Sequence, residues 1–169
     1  KAGHEAKHEA LAWISRTPIE DSLILDLGGQ GRIAQRVHLT IDGRAICLVN
    51  THLYWQPGES LARLRQVERL LDGLQGLPGD PPCIVCGDFN ATPETQAIQR
   101  MGQRFRSAYA AIHGAEPDYT CPTPLPRSPW ATARTLLGFF LLIRPQHLQP
   151  GWRGTLDYIF VDPRLGVTG

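Results

Sequence analysis

An Asp-Gly turn between two apolar segments constrains this chain more than any other local feature. Residues 32–40 and 45–50 are rich in aliphatic and β-branched side chains, and Asp42-Gly43 lies between them. An Asp-Gly pair favours the tight turn of a β-hairpin, because both central positions of that turn need positive φ. The sequence therefore predicts a hairpin over residues 32–50.

Other short segments of the chain also have the pattern of strands. Each is aliphatic or β-branched and is bounded by Gly, Pro, Asp or polar turn residues. These strands are predicted over residues 11–15, 22–27, 83–86 and 155–161.

Two segments have the pattern of helices. Apolar residues recur every three or four positions between residues 59 and 75, which predicts one amphipathic helix. Its apolar stripe consists of Leu61, Leu64, Val67, Leu70, Leu71 and Leu74. A short helix is predicted from Pro93 to about Met101, and an irregular surface loop over residues 117–129. Strands and helices mixed in this way predict an α/β or α+β fold.

Composition excludes some classes of protein and leaves others open. The 169 residues are 42% hydrophobic and carry a formal net charge of +1, so one ordinary domain is expected and no strong field attracts nucleic acid. The longest apolar run, residues 136–143, is far shorter than the roughly 18 residues of a membrane-spanning helix. The chain opens with neither Met nor a signal-peptide pattern, so we expect it to begin inside a longer protein.

Four cysteines raise the question of a metal site or a disulfide. Cys83 and Cys86 have the spacing of a zinc knuckle, but they fall in a predicted strand, where side chains three apart point to opposite faces. We therefore expect Cys47, Cys83 and Cys86 to be small buried thiols. Unpaired cysteines favour a reducing compartment such as the cytoplasm.

Polar residues at three positions could carry chemistry. His52 directly follows an apolar strand and could donate a proton near neutral pH, or it could be a structural histidine. Asp88 and Asn90 follow the 83–86 strand and could act together, or could only form an Asx turn. Asp157 lies in an apolar segment, and a buried carboxylate needs a cation, a His or hydrogen-bond donors.

These positions lie in four motifs that follow one another in a fixed order along the chain. The chain contains NTHL at residues 50–53, GDFNATP at 87–93, Tyr119-Thr120, and LDYIF at 156–160. In this order they resemble the endonuclease/exonuclease/phosphatase superfamily, the Mg²⁺-dependent phosphoesterases related to deoxyribonuclease I. LAWISRTPI, from Leu11, is similar to a strand of that family. The resemblance implies a four-layer sandwich, in which two mostly antiparallel β-sheets pack together and helices flank them.

The resemblance also implies a role for each matching residue. His52 corresponds to the imidazole that donates to the scissile phosphate, and Asp88 to the residue that orients or deprotonates the attacking water. Asn90 corresponds to the amide that holds water and phosphate in line, and Asp157 to the partner of a second catalytic His. Such chemistry needs an aligned water, a base, donors for the developing charge and a divalent cation.

Further residues are expected around this set by the same resemblance. The substrate-binding candidates are Asn50, Thr120 and Tyr158. Mg²⁺ is the expected cofactor, with Mn²⁺ as a substitute, and Asp88 and Asn90 are its candidate ligands, in a second site or through water.

Two family features have no match in this sequence. The family's principal metal ligand is a Glu in its N-terminal half, for which Glu5 and Glu9 are poor substitutes, and its closing catalytic His has no equivalent after His147. We therefore expect residues 1–169 to be the middle and late portion of one domain, inactive when isolated. The alternative is a non-catalytic fragment or binding module.

The substrate remains open at this stage. The motifs are most similar to the deadenylase and nocturnin-like branch, and also to uncharacterised bacterial members and sphingomyelinase-like enzymes, so nucleic acid, a nucleotide or a phospholipid head group all fit. The irregular insert at about 122–152 is expected to pack as a short helix, with peripheral membrane contact through 136–143 as the alternative. His4 and His8 match H-E-x-x-H, but no apolar stripe supports that helix, and we do not expect zinc there.

Overall fold

The protein is described from a computed structural model. The structure describes residues 10–55, 59–122 and 153–168, together with residues 129, 130, 133 and 137. Its elements in chain order are β1 (Asp21–Asp26), β2 (Ile33–Ile41), β3 (Arg44–His52), α1 (Leu61–Gly73), β4 (Cys83–Asp88), α2 (Gln96–Gly102), β5 (Arg106–Ser107), α3 (Ala108–His113), β6 (Cys121–Pro122), β7 (Arg153–Gly154) and β8 (Asp157–Val161).

One six-stranded sheet organises the described residues. Its strand order is β1-β2-β3-β4-β8-β5, and β6 and β7 form a separate two-stranded sheet. In the large sheet only β3 and β4 run parallel, and the other neighbours are antiparallel. The mixed α/β class is confirmed, with a mostly antiparallel sheet. Of the two large sheets that the resemblance implies, the described residues form one.

Helices cover one face of this sheet. Val67 and Leu70 of α1 are buried in the same core cluster as Val49, Val85 and Phe160, which lie on neighbouring strands. Alternation along the strands sends His52 and Asp88 to the opposite face, because Thr51 and Phe160 point toward the helices. The polar residues of interest therefore lie on the face away from α1 and α2, the face on which α3 packs beside β8.

The predicted hairpin is confirmed. Ile41 pairs with Arg44, and the turn residues Asp42 and Gly43 have φ of 49° and 75°. Both values lie in the left-handed region that an Asp-Gly turn needs. The strands predicted over 22–27, 83–86 and 155–161 are also confirmed, with ends shifted by one or two residues.

The strand predicted over residues 11–15 is wrong. That segment has no strand assignment, and the side chain of Ile14 is 98% exposed. The indole Nε1 of Trp13 donates to the Gln35 carbonyl of β2 at 3.3 Å. The apolar pattern alone did not reveal that this segment forms no ladder with the described strands.

The first helix begins as the sequence suggests but buries different residues. Ser60 caps it by accepting a hydrogen bond from the Arg63 amide, and Val67, Leu70 and Leu71 face the core. Leu61 is exposed, so the predicted apolar stripe is wrong at that position, and Arg63 and Gln66 are buried in the first two turns.

The second helix begins later than predicted. It starts at Gln96, after Thr95 at the N-cap, and Pro93 lies in the turn before it. The Thr95 amide donates to the Thr92 carbonyl, so residues 92–95 form a separate turn rather than the first turn of the helix.

The cysteines behave as strand side chains. Cys47 and Cys83 are buried register neighbours on the helix-covered face, whereas Cys86 is half-buried and its thiol donates to the Val49 carbonyl at 3.5 Å. Burial and the hydrogen bond with Cys83 raise the pKa of the Cys47 thiol. Cys83 and Cys86 thus lie on opposite faces, as predicted, and only Cys86 departs from full burial.

Several sequence predictions concern residues outside the described ranges. They include the His4/His8 motif and most of the 122–152 insert, among them nearly all of the 136–143 segment. The described part of the predicted 117–129 loop includes the short strand β6. None of the helices in the described ranges has the length and apolar character needed to span a membrane.

Candidate active site

The ends of three adjacent strands bring the predicted residues together. His52 is the last residue of β3, Asp88 the last of β4 and Asp157 the first of β8. In the sheet register His52 lies beside Asp88, and Asp88 lies beside Asp157. Register neighbours share a face, so the three side chains form one row at one end of the sheet.

His52 and Asp88 lie side by side without a direct hydrogen bond between them. Their Nε2 and Oδ2 atoms are 3.6 Å apart, and both side chains are about one-third exposed. This distance exceeds the 2.7–3.2 Å range of a normal hydrogen bond. Both side chains are therefore partly accessible to solvent.

Asp88 is held in an environment that favours its protonated form. Burial raises the pKa of the Asp88 carboxyl, and the nearby Asp157 charge acts in the same direction. The Asn90 amide, which donates to Oδ1 at 2.8 Å, and the His52 charge lower that pKa, but they do not overcome burial. A carboxylate with a raised pKa is a stronger proton acceptor, which suits a general base.

The backbone after β4 explains how Asn90 reaches the site. Gly87 has φ of 143°, and a Cβ there would collide with the Thr51 carbonyl of the adjacent strand. Asn90 has φ of 49°, a left-handed conformation that Asn tolerates better than most residues. Its side chain is only 4% exposed, and Nδ2 donates to the Leu53 carbonyl at 3.1 Å. That bond leaves the amide oxygen Oδ1 for a water or a cation.

Asp157 is exposed, which corrects the expectation that this carboxylate is buried. It stands at the first position of β8, before the apolar part of that strand begins. Thr120 donates to its Oδ2 at 2.7 Å and accepts hydrogen bonds from the amides of Leu156 and Asp157 at 3.0 Å. Thr120, predicted to bind substrate, is therefore committed to orienting Asp157.

Two other predicted substrate-binding residues have different surroundings. Tyr158 is 4% exposed, and its hydroxyl donates to the backbone carbonyls of Ala91 and Thr155. Alternation along β8 turns the Tyr158 side chain toward the core, and its substrate-binding role stays a prediction. Asn50 is half-buried and lies two positions before His52 on the same face, where its substrate-binding role stays a prediction.

Sequence reasoning missed two residues near the row. Arg32 is buried, and its positive charge lowers the pKa of Asp88; together with His52, Gln30 and Gly31 it lines a cavity of about 170 Å³. Cys121 is half-buried, and burial and the charges of both carboxylates raise the pKa of its thiol. Arg32 lies between a glycine-rich turn and a strand in the sequence, and this position could have marked it as a candidate site residue.

A larger cavity of about 570 Å³ borders the two carboxylates on the β8 side. Asp88 and Asp157 line one part of it, and Ile112 of α3 lines another. The rings of Tyr109 and His113, also on α3, are 4.2 Å apart between centroids. The carboxylates thus have a mainly apolar and aromatic surface next to them.

The donor set is compatible with a hard divalent cation. Asp88 and Asp157 provide carboxylate oxygens on the same face, and a cation would offset the unfavourable charge between them. No cluster of three or more His, Cys, Asp or Glu side chains that could hold a metal occurs in residues 10–55, 59–122 and 153–168 or the four isolated described residues. Mg²⁺ keeps several waters and needs only one or two carboxylates, so these residues fit an incomplete or water-rich Mg²⁺ site.

Comparison with known proteins identifies the class to which this fold and site belong. A sequence profile of the Endonuclease/Exonuclease/phosphatase family matches residues 3–169. The chain therefore belongs to that family, as the four motifs indicated.

Individual relatives place the chain within the family. It is 28% identical to 2',5'-phosphodiesterase 12 of Rattus norvegicus over 91% of this chain and 25% of that protein. It is 34% identical to Nocturnin of Xenopus laevis over 54% of this chain and 26% of that protein. The chain thus spans about a quarter of the length of these two relatives.

Solved structures agree with the family assignment. The human Nocturnin catalytic domain with bound sulfate anion superposes with a TM-score of 0.60 at 26% identity, covering 88% of this chain and 49% of that one. D. rerio TDP2 complexed with single strand DNA product has a TM-score of 0.62 at 18% identity, covering 87% and 54%. The second match supports the fold alone. The chain spans about half of each solved chain.

Proposed function

We propose that this protein hydrolyses phosphodiesters by in-line attack of an activated water at the row formed by His52, Asp88 and Asp157, with Asn90 beside it. The observation that supports the proposal most is the register, which aligns a base, an imidazole and a second carboxylate on one sheet face. Membership in the Endonuclease/Exonuclease/phosphatase family supports the same chemistry.

Each residue has one step in the proposed reaction. Asp88, whose pKa is raised by burial, accepts the proton of the attacking water. Asn90 holds that water through its side-chain amide, and the buried backbone bond to Leu53 keeps the amide in place. His52 donates to a phosphate oxygen as negative charge develops on it. Asp157, oriented by Thr120, corresponds to the partner of the family's closing catalytic His, and that His would protonate the leaving oxygen.

Mg²⁺ is the cofactor that fits this donor set, and Mn²⁺ is a chemically similar substitute. Asp88 and the side-chain oxygen of Asn90 would hold it through water or in a second site, which leaves the Asp88 carboxylate able to accept a proton. When bound, the cation supplies charge neutralisation for the phosphate group.

A nucleotide phosphodiester is the substrate class that we favour. Two named relatives are a 2',5'-phosphodiesterase and Nocturnin, and they share sequence with much of this chain. The aromatic pair of Tyr109 and His113, beside the cavity next to Asp88, offers a surface on which a nucleobase could stack.

The proposal is tested with the protein expressed from its complete reading frame. Purified enzyme is assayed with Mg²⁺ on 2',5'-linked and 3',5'-linked oligoadenylate, a mononucleotide, an inositol phosphate and sphingomyelin vesicles. We expect hydrolysis of an oligonucleotide that is lost with a chelator and in Asp88→Ala, and retained in Asp118→Ala, which removes an exposed carboxylate elsewhere. Preference for sphingomyelin would reject the nucleotide class. Inactivity on every substrate would favour a binding module.

A further inference from the structure

The core-facing side of α1 contains two polar side chains where apolar ones are expected. Arg63 is 0% exposed and Gln66 is 1% exposed. Burying an arginine or a glutamine is costly unless their polar atoms are paired. The hydrogen-bond partners of Arg63 and Gln66 therefore indicate what these two polar residues do at core positions of α1.

Both side chains bind the same residue, Tyr54, two positions after His52. Arg63 donates from Nη1 to the Tyr54 carbonyl at 3.1 Å, and Gln66 accepts from the Tyr54 amide through Oε1 at 2.9 Å. The other end of the Gln66 amide donates to the carbonyls of Gly28 and Gly29, at 3.4 Å each. Gln66 thus joins the loop after β1 to the segment after β3.

Leu53, between His52 and Tyr54, is held by hydrogen bonds with the end of β4 and the loop that follows it. The Leu53 amide donates to the Asp88 carbonyl at 2.9 Å, and the Leu53 carbonyl accepts from Asn90 at 3.1 Å. Both backbone groups of residue 53 and both of residue 54 therefore have partners, and Leu53 itself is fully buried. The backbone that follows His52 has little freedom to move.

This immobility matters for the imidazole. His52 is at the end of its strand, so the position of its Cβ depends on the peptides that follow it as well as on the ladder. Its Nε2 is already 3.6 Å from Asp88, and a further shift of about 1 Å would separate the two groups. Misplacement of that size in a catalytic group can cost roughly 100-fold in rate.

We propose that Arg63 and Gln66 are positioning residues, which hold His52 in line with Asp88 by fixing the backbone of Leu53 and Tyr54. They do not touch the reacting atoms and act through the backbone of the segment after β3, which Gln66 also joins to the loop after β1. The kinetic part of this inference rests on the proposed phosphodiester hydrolysis.

The kinetic test uses Arg63→Met and Gln66→Leu, which keep side-chain volume but remove the hydrogen bonds. Arg63→Lys, which retains a donor, and Arg65→Met, on the exposed side of the same helix, are the comparison variants. We expect kcat to fall about 10- to 100-fold in Arg63→Met and Gln66→Leu, with KM within about twofold. Arg63→Lys should recover part of the loss, and Arg65→Met should match the wild type. All rates are measured well below each variant's unfolding temperature, so a merely structural role would leave kcat unchanged and would overturn the proposal.

A second readout does not depend on activity. In NMR spectra of the full chain, Gln66→Leu should speed amide exchange at Tyr54, and both variants should shift the ring signals of His52 while Arg65→Met shifts neither. Unchanged His52 signals in Arg63→Met and Gln66→Leu would refute positioning even if the wild type proves inactive. Shifted signals in a protein without hydrolytic activity would instead refute the proposed function and retain the positioning role.

Discussion

At the residue scale, Asp88 combines a proposed role as general base with an unfavourable effect on stability. Burial raises its pKa above the ordinary 3.8, so the folded state binds this proton more tightly than the unfolded chain does. The free energy of unfolding should therefore decrease as pH rises from about 3.8 through the raised pKa, and the ionised carboxylate destabilises the fold at pH 7.

Asp88→Asn should consequently raise the unfolding temperature at pH 7 while lowering turnover at least about 100-fold. The stability gain should vanish near pH 3, where the wild-type carboxyl is protonated. Thermal unfolding at both pH values, with Asp118→Asn as the exposed control, measures the effect. A lower unfolding temperature for Asp88→Asn at pH 7 would contradict the assigned electrostatics.

Gly87 gives a second prediction at this scale. Its φ of 143° and the adjacent Thr51 carbonyl leave no room for a Cβ, so Gly87→Ala should destabilise the protein by about 3 kcal/mol. Gly102→Ala, at the end of α2 with open space around it, should be neutral or slightly stabilising. Denaturant unfolding compares the two variants directly. Equal stabilities would show that the space between Gly87 and the Thr51 carbonyl can accommodate a Cβ.

At the scale of elements, local patterns predicted what depends on local geometry. The Asp42-Gly43 hairpin and the apolar half of α1 follow from turn chemistry and helical periodicity, and both are confirmed. Neighbour-dependent features could not be predicted in this way. Residues 11–15 have a strand-like composition without a strand partner among the described residues. The buried Arg63 binds the Tyr54 carbonyl, a contact between distant elements that the helical pattern does not reveal.

The end of α1 gives the prediction at this scale. Arg104 donates from Nη1 to the Leu71 carbonyl at 2.8 Å and from Nη2 to the Leu74 carbonyl at 2.7 Å, so a distant side chain satisfies the last carbonyls of the helix. Arg104→Met should lower the free energy of unfolding by about 2 kcal/mol, whereas Arg65→Met should change it little. If Arg104→Met lowers the free energy of unfolding no more than Arg65→Met does, water satisfies the Leu71 and Leu74 carbonyls as well as Arg104 does.

At the scale of the whole molecule, the family motifs predicted the site better than physical patterning did. The ordered motifs anticipated that His52, Asp88, Asn90 and Asp157 would converge, which sequence separation alone does not reveal. They misjudged the environment of individual side chains, because burial depends on the sheet face. Tyr158 is turned into the core, and Asp157 lies at an exposed strand end.

The family motifs without a match in this sequence lead to a prediction for the molecule as a whole. Because those motifs carry the family's principal Glu and its closing His, we propose that residues 1–169 alone turn over at no more than a trace level. The protein expressed from its complete reading frame should be faster by at least about 100-fold under the same Mg²⁺ conditions. Comparable rates from the two proteins would show that residues 1–169 already contain the complete site.

A kinetic double-mutant cycle between His52 and Asp88 tests the central claim most directly, since groups that act together in one step lose activity non-additively. On the phosphodiester that the full-length protein hydrolyses fastest, His52→Ala and Asp88→Ala should each lower kcat by at least about 100-fold. The double variant should be no slower than the slower single variant. Additive losses, or near-normal turnover in either single variant, would contradict a shared hydrolytic site at the ends of β3 and β4.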